Sequence, residues 1–475
     1  MSKSLKSILF VIAGLMGLLI LISVAIILFL DTGVFKSRLE KAASEALGME
    51  VRVGGRLEID YFPRLRMRLD DVHIRNQAMD VASAKEASVE VALLPLLRKE
   101  VRIRRVGLQR PNISMKRDRD GVFNFEKREV AQKTFLTLDL HSLSLTDGAF
   151  LYQDEQSGED FEVRNFNLDI HGLQIAGGSR AELLKHLSIT AEFTCREVRT
   201  KGLAFSDVKF TCKGKEGVFV LDPVTIRLFG GQGSGRIGMD FSGPEPRYSI
   251  RTSLSKFRIE EYLKTLSQKK VAEGAMDFSA NLTLRGKTAN DLKRTAAGEI
   301  SLRGENLVVY GSDIDRQIAR FKSSQNFNLV DAGAFFFAGP LGLAVTKGYN
   351  FASIFQGSEG SSSIGKFCSD WKVEGGIMQA RDVAMATKKN RIALKGKADL
   401  VDERFDDVTL ALIDARGCAI AQQKISGPFR KPVVGKPSAL MSLAGPVFTL
   451  LKEARELFTG GRCEMFYTGS VPAPK

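Results

Sequence analysis

The sequence lacks the residue combinations on which most catalytic and metal sites depend. Its 475 residues include only four histidines and five cysteines. No two cysteines form a Cys-x-x-Cys pair and the histidines lie far apart in the chain, so no zinc or iron–sulfur spacing is present. Gly-x-Ser-x-Gly, His-Glu-x-x-His and Walker sequences are also missing. We therefore expect no metal site, no cofactor and no enzymatic activity.

One glycine-rich stretch matches the dinucleotide-binding motif Gly-x-Gly-x-x-Gly but lacks the helix that should follow it. Residues 233–238 read Gly-Ser-Gly-Arg-Ile-Gly. A dinucleotide site requires a helix to begin there, because the helix amides bind the pyrophosphate. Ile237, Met239 and Phe241 instead continue an alternating apolar pattern. We interpret the stretch as a glycine-rich turn between strands.

Charge is absent from the run Ile8–Leu30, which is 23 residues long. At about 1.5 Å per residue, this run can cross the roughly 30 Å hydrocarbon core of a membrane. Lys3 and Lys6 precede it and Asp31 follows it, so the positive-inside rule keeps residues 1–7 cytoplasmic and exports the rest. The alternative is a cleaved signal peptide, but its apolar region would be about 7–15 residues long. We predict an uncleaved single-pass anchor.

Positive charge is concentrated in one part of a basic chain. The formal net charge is +14, and residues 98–128 hold eleven Lys or Arg against four acids. Export argues against a nucleic-acid partner, and single-strand binders interleave aromatic residues more densely with basic ones. Phospholipid headgroups are another polyanion, although a solvated basic face is the simpler alternative. The headgroup-contact candidates are Arg98, Lys99, Arg102, Arg104 and Arg105.

Helical periodicity is confined to a few places, and an alternating pattern prevails elsewhere. An amphipathic helix is predicted from Thr32, its cap, to Gly48, its stop. Further helices are predicted at about 313–322 and 440–458. Most other segments alternate apolar and polar residues between Gly, Asn, Asp and Pro, as half-buried strands do. We predict a mainly β fold, an elongated antiparallel sheet with a few short helices.

Too few helices are predicted to cover the apolar face of such a sheet. The sheet must therefore curl on itself or form a trough with an apolar groove. The groove-lining candidates are Leu136, Leu138, Leu140, Phe166, Leu168, Ile170, Met276, Phe278, Leu282 and Leu284.

The uncharged run 332–345 is too short for a second membrane span and is interpreted as a buried loop or strand pair. The helix at 440–458 either covers the sheet or binds a surface.

Cys418 and Cys463 are predicted to form a disulfide that fastens the last strand to the sheet. Disulfides are permitted in an oxidising compartment, and each cysteine begins an apolar segment near the C-terminus. Cys195 and Cys212 are a weaker candidate pair for a disulfide. A turn near Thr200 would place Cys195 opposite about residue 206 and not opposite Cys212. The odd number of cysteines leaves at least one thiol without an intramolecular partner.

Several short motifs follow the predicted anchor in a specific order. In the first part of the chain they are Leu47-Gly48, 55–63 (GRLEIDYFP), 69–74 (LDDVHI), 93–97 (LLPLL) and 117–125 (RDRDGVFNF). Later ones are 228–231 (LFGG), 331–348 and 425–432 (ISGPFRKP). Their order resembles the AsmA family over most of the chain. The family usually has Asn-Trp where this chain has Asn124-Phe125.

The resemblance implies a protein anchored in the inner membrane, with its N-terminus cytoplasmic and its bulk periplasmic. It also implies a relationship to TamB and to bridge-like lipid transfer proteins, built on a repeated-β groove. The expected function is phospholipid movement toward the outer membrane and biogenesis of that membrane. The alternative is a non-transporting periplasmic scaffold that assists outer-membrane protein assembly. Expected partners are phospholipid, the inner membrane and, on the second reading, outer-membrane or periplasmic assembly proteins.

The resemblance and the sequence pattern together divide the chain into five parts. These are a cytoplasmic tail at 1–7, a transmembrane anchor at 8–30, an AsmA-like N-terminal periplasmic region at 31–130, a β-repeat groove region at 131–312, and an AsmA-like C-terminal region at 313–475.

Overall fold

The fold of the part of the chain that the structure describes is mainly β, as predicted, with 23 strands and a few short helices. The computed structural model describes residues 32–60, 65–76, 79–92, 103–125, 138–175, 183–201, 203–265, 270–311, 313–324, 360–429, 431–436, 438–439 and 465–474. Within these ranges no helix is both long and apolar enough to span a membrane. The predicted anchor at 8–30, the run 332–345 and the helix at 440–458 lie outside them.

The chain divides into two compact units. The N-terminal unit is Met1–Leu228 with Ser234–Tyr248, and the C-terminal unit is Phe229–Gly233 with Ser249–Lys475. Two strands, β12 (Gly231–Asp240) and β13 (Arg247–Arg258), contribute residues to both units. The division into five parts predicted from the sequence stays a prediction.

The elements of the N-terminal unit are one long helix, one 3₁₀ turn and a series of strands. They are α1 (Thr32–Leu47), β1 (Glu50–Val53), β2 (Leu57–Asp60), β3 (Leu65–Asn76), β4 (Met79–Val91), β5 (Ile103–Gln109), β6 (Asn112–Arg117), β7 (Leu138–Asp154), β8 (Glu159–Ile175), the 3₁₀ turn Leu183–His186, β9 (Leu187–Thr200), β10 (Leu203–Lys215) and β11 (Val218–Leu228).

The elements of the C-terminal unit alternate short helices with strands and end in a run of strands. They are α2 (Ile259–Lys264), β14 (Ala272–Glu273), β15 (Ala275–Arg285), α3 (Ala289–Thr295), β16 (Ala297–Tyr310), α4 (Ile314–Ser324), β17 (Ser361–Glu374), β18 (Ile377–Thr387), β19 (Arg391–Asp399), β20 (Arg404–Ile413), β21 (Ala419–Pro428), β22 (Val433–Val434) and β23 (Ser438–Ala439).

Helix α1 ends as the sequence predicts and covers the first strands. Gly48 has a φ of 65° and its N–H donates to the Ser44 carbonyl at 2.8 Å, a left-handed stop that glycine adopts without strain. Leu39 and Ala43 are 2% and 0% exposed and belong to the core of this unit. The Ser44 hydroxyl also accepts from the Val51 N–H at 2.8 Å, so the helix end is tied to β1.

Strand pairing in the N-terminal unit is antiparallel with one exception that the sequence did not reveal. Strand β7 runs parallel to both β5 and β6, with Val106 opposite Leu143 and Ile113 opposite Phe150. The remaining pairs, such as β3–β4, β7–β8 and β8–β9, are antiparallel. The expectation of a purely antiparallel sheet is therefore wrong at β7. Alternation reports which face is buried and does not report strand direction.

The described strands β15 to β21 of the C-terminal unit form an antiparallel ladder, with a large hydrophobic cluster and a smaller one that includes Phe466 and Tyr467. Strands β15 to β21 pair each with the next, and the predicted helix at 313–322 is confirmed as α4. Ile314 and Ile318 of that helix are 2% and 1% exposed. They share a cluster with Phe367 and Trp371 of β17.

The glycine-rich stretch at 233–238 lies inside β12 and is not a turn, which corrects the sequence interpretation. Gly231 shows why small residues suit this strand, because a Cβ there would lie 2.7 Å from the Phe257 Cα. No helix begins at this stretch, so its amides do not form a pyrophosphate site.

Several strands of the N-terminal unit are bent at aspartate or asparagine, among them β7, β8 and β10. Asp147, Asn165 and Asp207 have φ values of 55°, 51° and 52°. Asp and Asn tolerate this left-handed conformation better than other non-glycine residues. The strand register shifts beside Asp147 and Asp207, as it does at a bulge. The Asn165 amide donates to the Asp147 carboxylate at 2.7 Å, which ties the bends in β7 and β8 together.

Candidate functional site

Apolar side chains of the N-terminal unit form two rows that cross five neighbouring strands. Opposite residues in a sheet project from the same face, so the strand registers define both rows. The first row is Leu145, Leu168, Phe193, Phe210 and Val224. The second row is Leu143, Ile170, Ala191, Cys212 and Leu221. Each row runs across the strands from β7 to β11.

Both rows begin in a closed core and become more open toward β11. Leu145 is 5% exposed, whereas Phe193, Phe210 and Val224 are only half-buried. The second row changes in the same direction, since Ile170 is buried whereas Cys212 and Leu221 are half-buried. Among the described residues, α1 packs on β1 at the other end of the unit, and no described helix packs extensively on β9, β10 or β11.

Stacked aromatic rings line this face. The ring centroids of Phe166 and Phe193 are 6.2 Å apart and those of Phe193 and Phe210 are 4.9 Å apart. Gly148 makes room for the first ring, because a Cβ on it would lie 2.5 Å from the Phe166 Cζ. The result is a smooth apolar surface made of rigid side chains.

The other face of the same strands is polar and hydrogen-bonded from strand to strand. The Ser144 hydroxyl donates to the Asp169 carboxylate at 2.6 Å. On the next pair of strands, the Asn167 amide donates to the Thr194 hydroxyl at 3.2 Å. The two faces therefore differ in chemistry, and only one of them is suited to an apolar ligand.

The C-terminal unit also has an apolar face that is incompletely covered. Along β15, Met276 is 1% exposed, while Phe278, Leu282 and Leu284 are half-buried and pack against the core cluster. Phe278 lies opposite Leu302 of β16, which is buried in that cluster. The open part of this face thus lies beside the core, as in the N-terminal unit.

The predicted groove residues fall into these two units. Leu140, Phe166, Ile170 and Met276 are buried. Leu168, Phe278, Leu282 and Leu284 are half-buried. Leu138 is the first residue of β7. Leu136 lies outside the described residues. Sequence reasoning missed Phe193, Phe210, Cys212 and Val224, which carry the open part of the rows, although the alternation of Ala191, Phe193 and Cys195 was a signal for this strand.

Two of the five predicted headgroup-contact residues are described. Arg104 and Arg105 are exposed on β5. Arg105 lies opposite Glu90, a buried carboxylate that also has the Arg66 guanidinium at 3.6 Å. Arg98, Lys99 and Arg102 lie outside the described residues.

The cysteines are partly as predicted from the sequence. Cys195, Cys212 and Cys368 are free thiols, and Cys418 is disulfide-bonded. Cys418 also forms an antiparallel bridge with Met465. Cys463 lies outside the described residues, so its pairing with Cys418 stays a prediction.

The register of the two central cysteines differs from the expected one. Cys195 lies opposite Val208, and Cys212 lies opposite Ala191. The turn comes one residue later than assumed, because Thr200 pairs with Leu203. Both thiols project from the apolar face, and burial raises the pKa of each.

Cys368, Asp370 and Asp382 bring three possible metal ligands within 4.8 Å of one another. Arg303 forms an ion pair with Asp370, and the Ser470 N–H donates to Asp382 at 2.9 Å. Burial raises the pKa of the Cys368 thiol to about 12, so the thiolate that would bind a metal is disfavoured. These groups act as a structural cluster that fastens the C-terminal segment.

A cleft of about 560 Å³ lies in the C-terminal unit. Phe278, Ile300 and Trp371 contribute apolar side chains to its lining. The polar lining includes Ser255, Asp277, Ser279, Glu299, Ser301, Arg303, Asp370 and Arg381. Hydroxyls and charges of both signs suit acyl chains less well than the apolar rows do. We therefore assign the candidate site to the apolar faces, to which Phe278 also belongs.

A comparison with protein families supports the resemblance over the part of the chain that holds the motifs up to residue 231. A family model described as the AsmA family matches residues 1–179 and 179–334. No curated protein gives a significant match. The chain belongs to the AsmA family.

Proposed function

We propose that the protein is a membrane-anchored periplasmic lipid-transfer protein that moves phospholipid toward the outer membrane. Membership in the AsmA family supports a general role in outer-membrane biogenesis or lipid transport. The disulfide at Cys418 is consistent with an oxidising compartment such as the periplasm. The anchor at 8–30 and the periplasmic location are part of this proposal.

The opening of the two apolar rows toward β11 is the observation that carries the proposal. Each CH₂ group moved from water to an apolar surface gains about 0.8 kcal/mol. Phe193 and Phe210 offer such a surface without being closed off from solvent. An acyl chain can therefore lie on the rows while its headgroup stays in water.

The direction of the rows suits movement as well as binding. Neighbouring strands lie about 4.8 Å apart, so a row over five strands extends over roughly 19 Å. A lipid that advances along a row meets a similar apolar surface at each strand, from Leu168 to Phe193 to Phe210. No single position then holds it strongly. Exposed Arg104 and Arg105 are suited to attract anionic headgroups.

Photo-crosslinking tests whether lipid occupies the apolar faces. A benzophenone amino acid is placed at Phe193, Phe210 or Leu282, which are half-buried on apolar faces. Glu192 and Asn281 are exposed neighbours of opposite orientation and serve as matched controls. We expect phospholipid adducts, identified by mass spectrometry, at the three apolar positions and not at the two controls.

Equal labelling of both faces, or no lipid adduct at any position, would contradict the proposal. The same result would favour the alternative class, a periplasmic scaffold whose apolar face is filled by its own side chains. Protein adducts at Phe193 or Phe210 would then identify what the scaffold binds.

A further inference from the structure

One short strand at the end of the C-terminal ladder carries two adjacent apolar side chains that are open to solvent. Strand β22 pairs with β21, with Val434 opposite Ile425 and Val433 opposite Ser426. Val433 is 63% exposed and Val434 is 37% exposed. Single exposed apolar residues are ordinary on protein surfaces. Among the large exposed apolar residues in the described part of the chain, only these two are neighbours in sequence, so they form a small apolar patch.

The segment that carries this patch is fixed to the ladder on both sides. Before the patch, Phe429 is 2% exposed and packs edge-on against Phe405, with the ring centroids 4.7 Å apart. After the patch, the Gly435 N–H donates to the Lys424 carbonyl at 2.9 Å. The Gly435 carbonyl accepts from the amide of Gln423, also at 2.9 Å. The two valines are therefore held in place, and neighbouring strand residues point to opposite faces, so both faces of β22 are apolar.

Positive charge surrounds the patch. From residue 415 to residue 439 the sequence has five Lys or Arg and no Asp or Glu. Lys431 and Lys436 flank β22 in the chain and are both exposed. Lys424 has the Asp407 carboxylate at 3.6 Å, whereas Lys431 and Lys436 form no ion pair with any residue that the structure describes. Two free ammonium groups thus accompany the two valines.

The sequence around β22 disfavours a protein strand as the partner of this edge. An edge strand can pair with another chain through its unpaired N–H and carbonyl groups. Pro432 and Pro437 enclose Val433–Lys436 in the sequence, and proline has no N–H to donate to a ladder. Lysine and proline at a sheet edge both act against such pairing. A bilayer surface needs no backbone pairing, and its anionic headgroups complement the lysines.

We infer that Lys431, Val433, Val434 and Lys436 bind the surface of a bilayer that contains anionic lipid. The valines would enter the boundary between headgroups and acyl chains, where burial of apolar area favours binding. The ammonium groups would lie among the lipid phosphates, which attract basic residues near the surface. A patch of this size gives reversible attachment. The inference concerns contact with a bilayer and does not rest on lipid binding by the apolar rows.

Vesicle flotation tests the inference with the full-length protein embedded in phosphatidylcholine nanodiscs. The vesicles consist of phosphatidylcholine alone or of an equimolar mixture of phosphatidylcholine and phosphatidylglycerol, and the protein that floats with them is quantified. We expect the wild type to prefer the mixed vesicles. Lys431→Gln combined with Lys436→Gln should bind these about 10- to 30-fold more weakly, the effect of two lysines near an anionic surface. Val433→Ser combined with Val434→Ser should bind them about 3- to 10-fold more weakly.

Matched controls separate this surface from the total charge and from stability. Lys209→Gln combined with Lys213→Gln removes the same charge from exposed positions on β10, and Val218→Ser changes a single exposed valine of β11. Both controls should bind the mixed vesicles as the wild type does. All variants should melt within about 2 °C of the wild type, because every replaced side chain is exposed. Added salt should weaken binding of the wild type more than that of the lysine variant.

Three results would overturn the inference. The first is unchanged flotation of the lysine and valine variants, or an equal loss in the lysine control. The second is failure of the wild type to bind the mixed vesicles, which leaves the proposed function intact because adducts at Phe193 and Phe210 test that function separately. The third is a dimer that the wild type forms and the valine variant does not, which would assign the patch to a second copy of the chain.

Discussion

The side chain of Asp154 is almost wholly buried at the end of β7, 3.1 Å from the Arg117 guanidinium. Burial alone would raise the pKa of this carboxyl. Hydrogen bonds from the Ser157 N–H, from Arg117 and from the Gln156 N–H outweigh burial and lower the pKa from 3.8 to about 2. The charge of Asp154 therefore holds the turn after β7 and the end of β6 together.

The lowered pKa predicts an acid-sensitive contribution to stability. The contribution is complete above about pH 5, where the carboxyl is ionised in the unfolded chain, and is lost progressively as the pH falls toward 2. Asp154→Asn should lower the free energy of unfolding by about 2–4 kcal/mol at pH 7, because Arg117 loses its partner. Urea unfolding from pH 7 to pH 2 measures both effects.

Asp160→Asn changes an exposed carboxylate on β8 and is the matched control. It should keep the wild-type profile, whereas the difference between Asp154→Asn and wild type should shrink below pH 4. A constant difference down to pH 2 would show that ionisation of Asp154 does not stabilise the fold.

Residues with special backbone conformations were not predictable from the sequence. Asp147, Asn165 and Asp207 lie in the middle of strands, where alternation suggests only an exposed polar residue. Their role depends on φ, and composition does not report φ. The contacts of the buried side chains in the motif at 117–125 were equally unpredictable from the sequence. Asn124 accepts from the Lys116 N–H at 3.0 Å and donates to the Ser114 carbonyl at 2.9 Å, contacts that only the folded turn brings together.

The last described segment, residues 465–474, behaves as an element fastened to the outside of the C-terminal ladder. Phe466, Tyr467 and Val471 are buried against a patch of small residues. That patch consists of Cys368, Ala384, Ala386, Ala393, Ala411 and Ile413. Small side chains leave room for two aromatic rings at a sheet surface, so the segment is accommodated without displacing the strands.

Polar contacts hold the same segment at both ends. The Tyr467 hydroxyl donates to Asp382. Arg391, itself buried, donates to the Val471 carbonyl at 2.9 Å and to the Asp414 carbonyl at 2.7 Å. The segment thus depends on β18 and β19 for its position and does not form a strand of its own along the ladder.

The disulfide predicted between Cys418 and Cys463 would fix this element covalently. Forty-four residues lie between the two cysteines, and loop closure of that length is worth about 4 kcal/mol in the chain-entropy model. Cys418→Ser should therefore lower the melting temperature and make residues 465–474 sensitive to protease. Peptide mapping under non-reducing conditions measures the link directly.

Cys212→Ser is the control for this change, because Cys212 is a free thiol. It should leave the melting temperature within about 2 °C of the wild type. Recovery of Cys463 as a free thiol in the wild-type protein would contradict the predicted pairing.

Element type was predictable to a large extent, and pairing was not. Alternation in Leu65–Leu69 and in Met276–Leu284 identified β3 and β15, and the stop at Gly48 identified the end of α1. The parallel direction of β7 and the register of Cys195 depend on turn geometry and on contacts distant in sequence. The same limit applies to the candidate site, since alternation identifies an apolar face and does not reveal which part of it stays uncovered.

Each unit, taken by itself, has one large core cluster and, among the described residues, a smaller second one. In the N-terminal unit the large cluster includes Leu39 of α1 and Ile170 of β8. In the C-terminal unit it includes Ile318 of α4 and Leu410 of β20. In both, half-buried apolar side chains continue the cluster beyond the part that a helix covers. Under the proposed function, this continuation is the surface on which an acyl chain of the ligand would lie.

The location of the whole molecule decides whether that ligand can be an envelope phospholipid. The uncharged run at 8–30 is preceded by Lys3 and Lys6, which the positive-inside rule predicts to stay in the cytoplasm. Alkaline phosphatase folds only after export, because it needs disulfides. Fused after residue 130, it should be active, and a cytoplasmic reporter at the same site should be inactive.

Replacing Lys3 and Lys6 with Glu should weaken this orientation and lower phosphatase activity. An inactive phosphatase fusion beside an active cytoplasmic one would place the apolar faces on the other side of the membrane and remove the periplasmic route.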